Sequence, residues 1–278
     1  MARAGTAISI CSVLCAAGLS VASAAPAVAP PPAEPSAHRA LYTMTLDHAD
    51  STSSVDGAVG TLYYEWGDAC DGWTVQQRYK LVIHYQQDAP VELTSNYLTW
   101  ESKDGTSFRF NDRETRNGNL DQDIRGSAKL SAKDHSGVAI FEKPKPQRFT
   151  LAAGTLFPTA HTFALIEAGL AGKDYLAASV FDGSVVDGAS QVSAVIGKTE
   201  HDNAAALGGG VKSALLSRRN WPIWLAFFSN ATKDPTPDYA LGMHMLENGV
   251  SSEMSIDYGD YVIKAQLQSI EPLPKPGC

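Results

Sequence analysis

The sequence predicts a mainly β protein, one continuous domain of antiparallel strands with a single helix against the sheet. Three observations carry that expectation. Apolar and polar residues alternate with period two over long stretches. Tight-turn residues separate those stretches. Only one segment changes to helical spacing.

The clearest alternation begins at Trp73. Trp73, Val75, Gln77, Tyr79, Leu81, Ile83 and Tyr85 share one face, and Thr74, Gln76, Arg78, Lys80 and His84 take the other. Successive strand side chains point to opposite faces, so this is a half-buried strand. Its partner is 59–66, with a turn at Asp68-Ala69-Cys70-Asp71-Gly72 between them. Strands follow at 91–101 and 106–114, joined by Lys103-Asp104-Gly105, and at 123–132 and 138–142, joined by Asp134-His135-Ser136-Gly137. A late meander runs through 239–246, 250–258 and 261–270. Its turns are Asn248-Gly249, the strongest hairpin signal in the chain, and Tyr258-Gly259-Asp260.

The exception is 158–170, where Ala160, Phe163, Ile166 and Leu170 recur at helical spacing. Pro158 suits a first turn, and Gly169 and Gly172 mark the end. The stretch 203–210, ending in Gly208-Gly209-Gly210, reads as a loop. It lacks the lysine and the strand-to-helix setting of a phosphate cradle. The aromatic run 221–228 reads as a core strand entered through Pro222. A sharper reading has some of its rings line a cavity or groove for an apolar partner.

The chain begins with an export signature. Arg3 is the only charge before Glu34, residues 6–21 are apolar or small, and Ala22-Ser23-Ala24 is an Ala-x-Ala cleavage site. The expected organisation is a signal peptide at 1–24, a Pro/Ala-rich leader at 25–37 and one domain at 38–278, delivered to the periplasm. The apolar run is too short and too rich in Ala and Ser to span a bilayer, and no other stretch is long enough. Removing the signal takes Cys11 and Cys15 away and leaves Cys70 and Cys278, which permit one internal disulfide across 208 residues. Net charge is −8, one unit more negative without Arg3, with no basic run. Nucleic acid and anionic membrane surfaces are poor partners for such a chain.

The residues offer no recognisable catalytic centre. There is no Gly-x-Ser-x-Gly elbow, no His-Glu-x-x-His zinc helix and no Cys-x-x-Cys pair, so no catalytic residue, metal site or cofactor is assigned. The seven histidines are scattered singly. His161, on the helix, reads as a packing residue. Asp121 and Asp123 beside Asn117 and Asn119 lack the ligand order of a calcium loop and read as a solvated acidic loop.

Several stretches, taken in order, resemble the cell-envelope-integrity EipB family of exported alphaproteobacterial proteins, long grouped as a domain of unknown function. These are His38-Arg39-Ala40-Leu41-Tyr42, Cys70-Asp71-Gly72-Trp73, the run from Gly154 through Pro158 to His161, Tyr258-Gly259-Asp260-Tyr261, and the cysteine at the chain end. The resemblance spans about Ala37 to Cys278. It implies a disulfide-bonded β-spiral, a long curved antiparallel sheet wrapped on a helix, similar in shape to the lipoprotein carriers LolA and LolB. It transfers the disulfide onto Cys70 and Cys278 and brings no enzymatic role. The expectation is a non-enzymatic periplasmic factor, monomeric, that maintains the cell envelope by binding an envelope component or partner protein. A lipid or lipoprotein carrier is the first alternative and an envelope hydrolase the second. Phe163, Ile166, Trp221 and Trp224 are the candidate lining of an apolar groove.

Overall fold

A computed structural model describes residues 35–201, 209–229 and 235–278. The signal peptide, nearly all of the leader and most of the 203–210 loop lie outside the described residues. The first half holds β1 (His38–Ala49), β2 (Val55–Asp68), β3 (Gly72–Tyr85), β4 (Val91–Ser102), β5 (Ser107–Arg116), β6 (Asn119–Leu130), β7 (Gly137–Lys143) and β8 (Gln147–Leu151). A short β9 (Thr155–Leu156) then leads into α1 (Pro158–Leu170). The second half holds β10 (Tyr175–Val180), β11 (Ser190–Ile196), β12 (Asn220–Phe228), β13 (Tyr239–Leu246), β14 (Ser251–Asp257) and β15 (Tyr261–Pro272).

All fifteen strands belong to one sheet. Each pairs with its neighbour in sequence, except that β8 and β9 do not pair and β1 joins β15. Every pairing is antiparallel apart from β9 with β10. The two sheet edges, β8 and β9, are linked by only residues 152–154, and the sheet curls until they nearly meet. The seam between them is filled from inside by rings. Phe108 and Phe110 of β5, Phe141 of β7, Phe157 before the helix and Phe181 after β10 are buried together. Phe181 lies 5.5 Å from Phe110 and 6.1 Å from Phe141, ring centre to ring centre.

The alternation read from the sequence sets the inner face. Trp66 pairs with Val75, Leu62 with Tyr79 and Gly60 with Leu81, which puts the Trp73–Tyr85 set inside. The pattern crosses to β15 and β14, where Met44 pairs with Ala265 and Leu46 with Ile263. Asp121 and Asp123 are not in a loop. Asn117 and Gly118 take positive φ and make the turn, so β6 starts earlier and carries both acids. Asp123 meets Lys143 at 2.9 Å and Asp121 meets Arg116 at 3.7 Å.

The helix lies inside the curl. Pro158 opens it, and Phe157 before it contributes no side-chain cap. The cap comes instead from Glu101 of β4, whose carboxylate accepts the Thr159 N–H at 2.7 Å and the Ala160 N–H at 2.8 Å. Two of the first-turn N–H groups, which have no partner within a helix, are thereby satisfied, and the negative charge faces the positive helix end. At the far end the Gly172 N–H donates to Gly169 and the Lys173 N–H to Ala168, with Gly172 at φ 68°. Buried positions on the helix are Thr159, His161, Leu165, Ile166, Ala168 and Gly169, and Glu167 is its one exposed residue. The apolar surface is therefore broader than the stripe the spacing predicts, because the sheet surrounds the helix on more than one side. Gly169 seats against the Trp221 ring so closely that a Cβ there would stand 2.8 Å from it.

Candidate functional site: a cleft at the disulfide end

One end of the curl is crossed by the disulfide. Cys70 takes φ 65° in the β2–β3 turn, and its N–H donates to Asp68 Oδ1 at 2.9 Å. It is bonded to Cys278, with Cα atoms 6.1 Å apart. The last strand ends at Pro272, and the Leu273 N–H still donates to the Ala37 carbonyl at 2.9 Å. Past Leu273, the disulfide is what holds the tail to the body.

That tail forms one wall of a cleft of ≈ 1010 Å³. Trp73 comes from β3, Leu170 from the end of α1, Leu215 and Arg218 from the stretch between Ala214, where a 3-10 turn begins, and β12, Asn248 from the β13–β14 turn, Leu273 from the tail and Ala37 from just before β1. Six separate segments thus converge at one mouth. The frame is tied by hydrogen bonds: Asn248 Nδ2 donates to the Leu215 carbonyl at 2.9 Å, and the Ser36 N–H donates to the Asn248 carbonyl at 3.0 Å.

Charges at the mouth are partly matched. Arg219 Nε donates to Glu247 Oε2 at 2.7 Å. Lys103 pairs with Asp68 at 2.8 Å, and its ammonium sits 3.1 Å from the Trp73 ring centre. The Asp68 carboxyl is held below its ordinary value, first by the hydrogen bond from Lys103. Arg218 and Lys275 also line the cleft, and neither forms an ion pair among the described residues.

Behind Trp73 lies an aromatic layer. Trp66, Trp73 and Phe163 touch one another with ring centres 5.4 to 5.8 Å apart. His38 meets the Trp66 edge at 6.2 Å. Gly249, at φ 83°, lies against the Trp66 ring, where a Cβ would approach to 2.1 Å. His38 Nδ1 pairs with the Ser36 carbonyl at 2.7 Å, and burial lowers the His38 pKa. The buried nitrogens Trp66 Nε1 and His38 Nε2 have no hydrogen-bond partner among the described residues.

The four groove residues read from the sequence do not share one surface. Phe163 is half-buried in the aromatic layer just described. Ile166 is fully buried in the core between α1 and β10–β13. Trp221 is inside as well, its Nε1–H donating to Thr199 Oγ1 at 3.0 Å. Trp224 faces the other way. Strand alternation separates odd and even positions of β12, so Trp221, Ile223 and Leu225 point inward and Trp224 points outward at 54% exposure. There it stands in register with Val195 at 53% and Tyr175 at 54%.

A second polar group lies on the inner wall away from the cleft. Asp112 accepts from Ser95 Oγ at 3.2 Å and from Gln122 Nε2 at 3.1 Å, and Tyr97 donates to the Asp182 carbonyl at 2.5 Å. Burial raises the carboxyl pKa values of Asp112 and of Glu114, two positions along β5. Both oxygens of Asp112 are taken up by neighbours that tie β4, β5 and β6 together. Gln122 also donates to the Ser184 carbonyl at 2.8 Å, and these bonds pin the segment after β10 over the seam. These are the contacts of a closure. Glu101 is the other buried acid, at 2% exposure, and burial raises its pKa to about 7 against the pull of two N–H donors. His161, one turn into the helix, is lowered by burial to about 4, and its Nε2 has no hydrogen-bond partner among the described residues. No group of three potential metal ligands occurs among the described residues. No described helix is long and apolar enough to cross a membrane.

A single curled antiparallel sheet, a helix held within it and one long-range disulfide define a class of β-barrel-like proteins. The EipB-like family model matches residues 31–274, and the chain belongs to that family. It is 31% identical over 240 residues to the cell envelope integrity protein EipB of Brucella abortus (strain 2308), covering 84% of this chain and 83% of that one. Its fold is similar to the crystal structure of a β-barrel-like protein of a domain of unknown function from Brucella abortus. The TM-score is 0.78 at 30% identity, over 87% of this chain and all of that one.

Proposed function

We propose that this protein is a periplasmic, non-enzymatic factor that maintains cell envelope integrity, and that it works by binding an envelope component or partner protein at the disulfide-end cleft. The observation that carries the reading is the cleft itself: six segments converge there, and its lining combines apolar side chains with charged ones. The name of the Brucella relative supplies the envelope role. In this reading residues 1–24 are a signal peptide, 25–37 a leader, and the exported chain a monomer. Intact mass of the exported protein should give a chain beginning at Ala25. Deleting the gene should sensitise cells to envelope-active detergents, and a copy lacking 1–24 should fail to restore resistance while the full copy succeeds. Restoration by the unexported copy would remove the periplasmic assignment.

A lipid or lipoprotein carrier remains the second reading, because part of the inner wall is apolar but incompletely covered. Leu241, Met243, Met254 and Ile256 face inward on paired positions of β13 and β14 and are only half-buried. Co-purification of acyl lipid with the exported protein supports this reading over protein docking.

A further inference from the structure

We infer that the cleft takes an amphiphile with one acidic head group on an aliphatic chain, and that the tail closed by the disulfide is a necessary wall of that site. This rests on the assignment of the cleft as the binding site and adds the ligand class. The cleft volume of ≈ 1010 Å³ is at the upper end of small-ligand sites, which run from about 300 to 1,000 Å³. Leu170, Leu215, Leu273 and the Trp73 ring offer apolar surface to a chain.

The charge pattern selects the head. The two acidic side chains lining the cleft are both neutralised, Asp68 by Lys103 and Glu247 by Arg219. Arg218, just before β12, and Lys275, on the tail, both line the cleft and have no ion-pair partner among the described residues. An anionic head reaching both would join the tail to the body, whereas the two acidic side chains that a cationic head would meet are already engaged.

The tail matters because it brings Leu273, Lys275 and Pro276 to the site and is tied past Leu273 by the bond to Cys70. A Cys278→Ser protein retains every strand pairing but has no fixed second lip.

The test is displacement of a fluorescent long-chain carboxylic acid from the purified protein, below micelle concentrations. Dodecanoate and dodecyl phosphate are compared with dodecyl maltoside and with inorganic phosphate. Both anionic chains should displace the probe at concentrations about tenfold or more below the maltoside, and inorganic phosphate alone should not displace it. Arg218→Gln with Lys275→Gln should weaken the anionic chains about tenfold and leave the maltoside unchanged. Cys278→Ser should weaken both chain types, with the native circular dichroism spectrum retained. Equal binding of anionic and neutral chains, or unchanged affinity in the double variant, would overturn the proposal. Failure here, combined with loss of envelope protection by a cleft variant, would leave the cleft as a protein-docking site and sink only the ligand class.

Discussion

At the residue scale, the buried pair at the start of α1 gives the molecule two opposed pH responses. Glu101 is raised from its ordinary 4.5 to about 7, so the folded state holds its proton more tightly than the unfolded chain. Its stabilisation is complete below 4.5 and is lost as pH rises through about 7. His161 is lowered from 6.5 to about 4, so its contribution is complete above 6.5 and is lost as pH falls through about 4. Each is on the order of 3 kcal/mol, and between pH 4.5 and 6.5 they oppose one another. His161→Gln should therefore expose the Glu101 response. Its melting temperature should fall as pH rises from 5 to 7, more steeply than in the unaltered protein, with biological function retained. Glu101→Gln should show the opposite slope. Parallel profiles for all three proteins would contradict the assignment. Gly169 makes a separate prediction. Alanine favours helix by about 1 kcal/mol, but its Cβ would press the buried Trp221 ring, and overpacking costs about 1–3 kcal/mol. Denaturant titration of Gly169→Ala should show a net loss of stability.

At the element scale, legibility followed side-chain contrast. The strands with large inner residues and charged outer ones, β3 above all, were readable because period-two alternation separates Leu81 and Ile83 from Lys80 and His84. Strands β10 and β11 carry Ala and Ser on both faces, so the alternation has almost no amplitude there. β9 is two residues long. In β1, Leu41 on the outer face blurs the inner run of Ala40, Tyr42 and Met44. The site was less legible than the fold. The cysteine pair marked one lip of the cleft, but Leu215, Arg218 and Asn248 reach it only through the curl of the whole sheet. The helix cap was invisible for the same reason, since Glu101 lies 58 residues before Thr159. The disulfide acts at this scale too. Closing 208 residues is worth roughly 5 kcal/mol as an upper limit, reduced by whatever freedom the tail keeps in the folded state. Reductant should lower the melting temperature by several degrees, and two alkylatable thiols in the unreduced native protein would remove the bridge.

At the scale of the whole molecule, the pairing of β1 with β15 and the bond between Cys70 and Cys278 place the start of β1 and the tail after β15 at one mouth. The other surfaces are differently finished. The outer side of β3–β7 carries ion pairs such as Lys80 with Glu92 and Arg125 with Glu142, and the seam is plugged by phenylalanines. The edge strand β8 follows Pro144, Lys145 and Pro146, residues that discourage pairing with another chain. The binding function proposed above is assigned to the disulfide end, away from these surfaces. The most direct measurement places a charge in the cleft of the full chain and asks whether cells are still protected. Leu170→Arg puts a cation at the last turn of α1, where the helix dipole tolerates it, and blocks the apolar floor. Val59→Arg, on the exposed outer side of β2, is the control. With both proteins exported at equal levels and melting like the unaltered one, the control should restore detergent resistance to cells lacking the gene, and Leu170→Arg should not. Full restoration by Leu170→Arg would contradict the account.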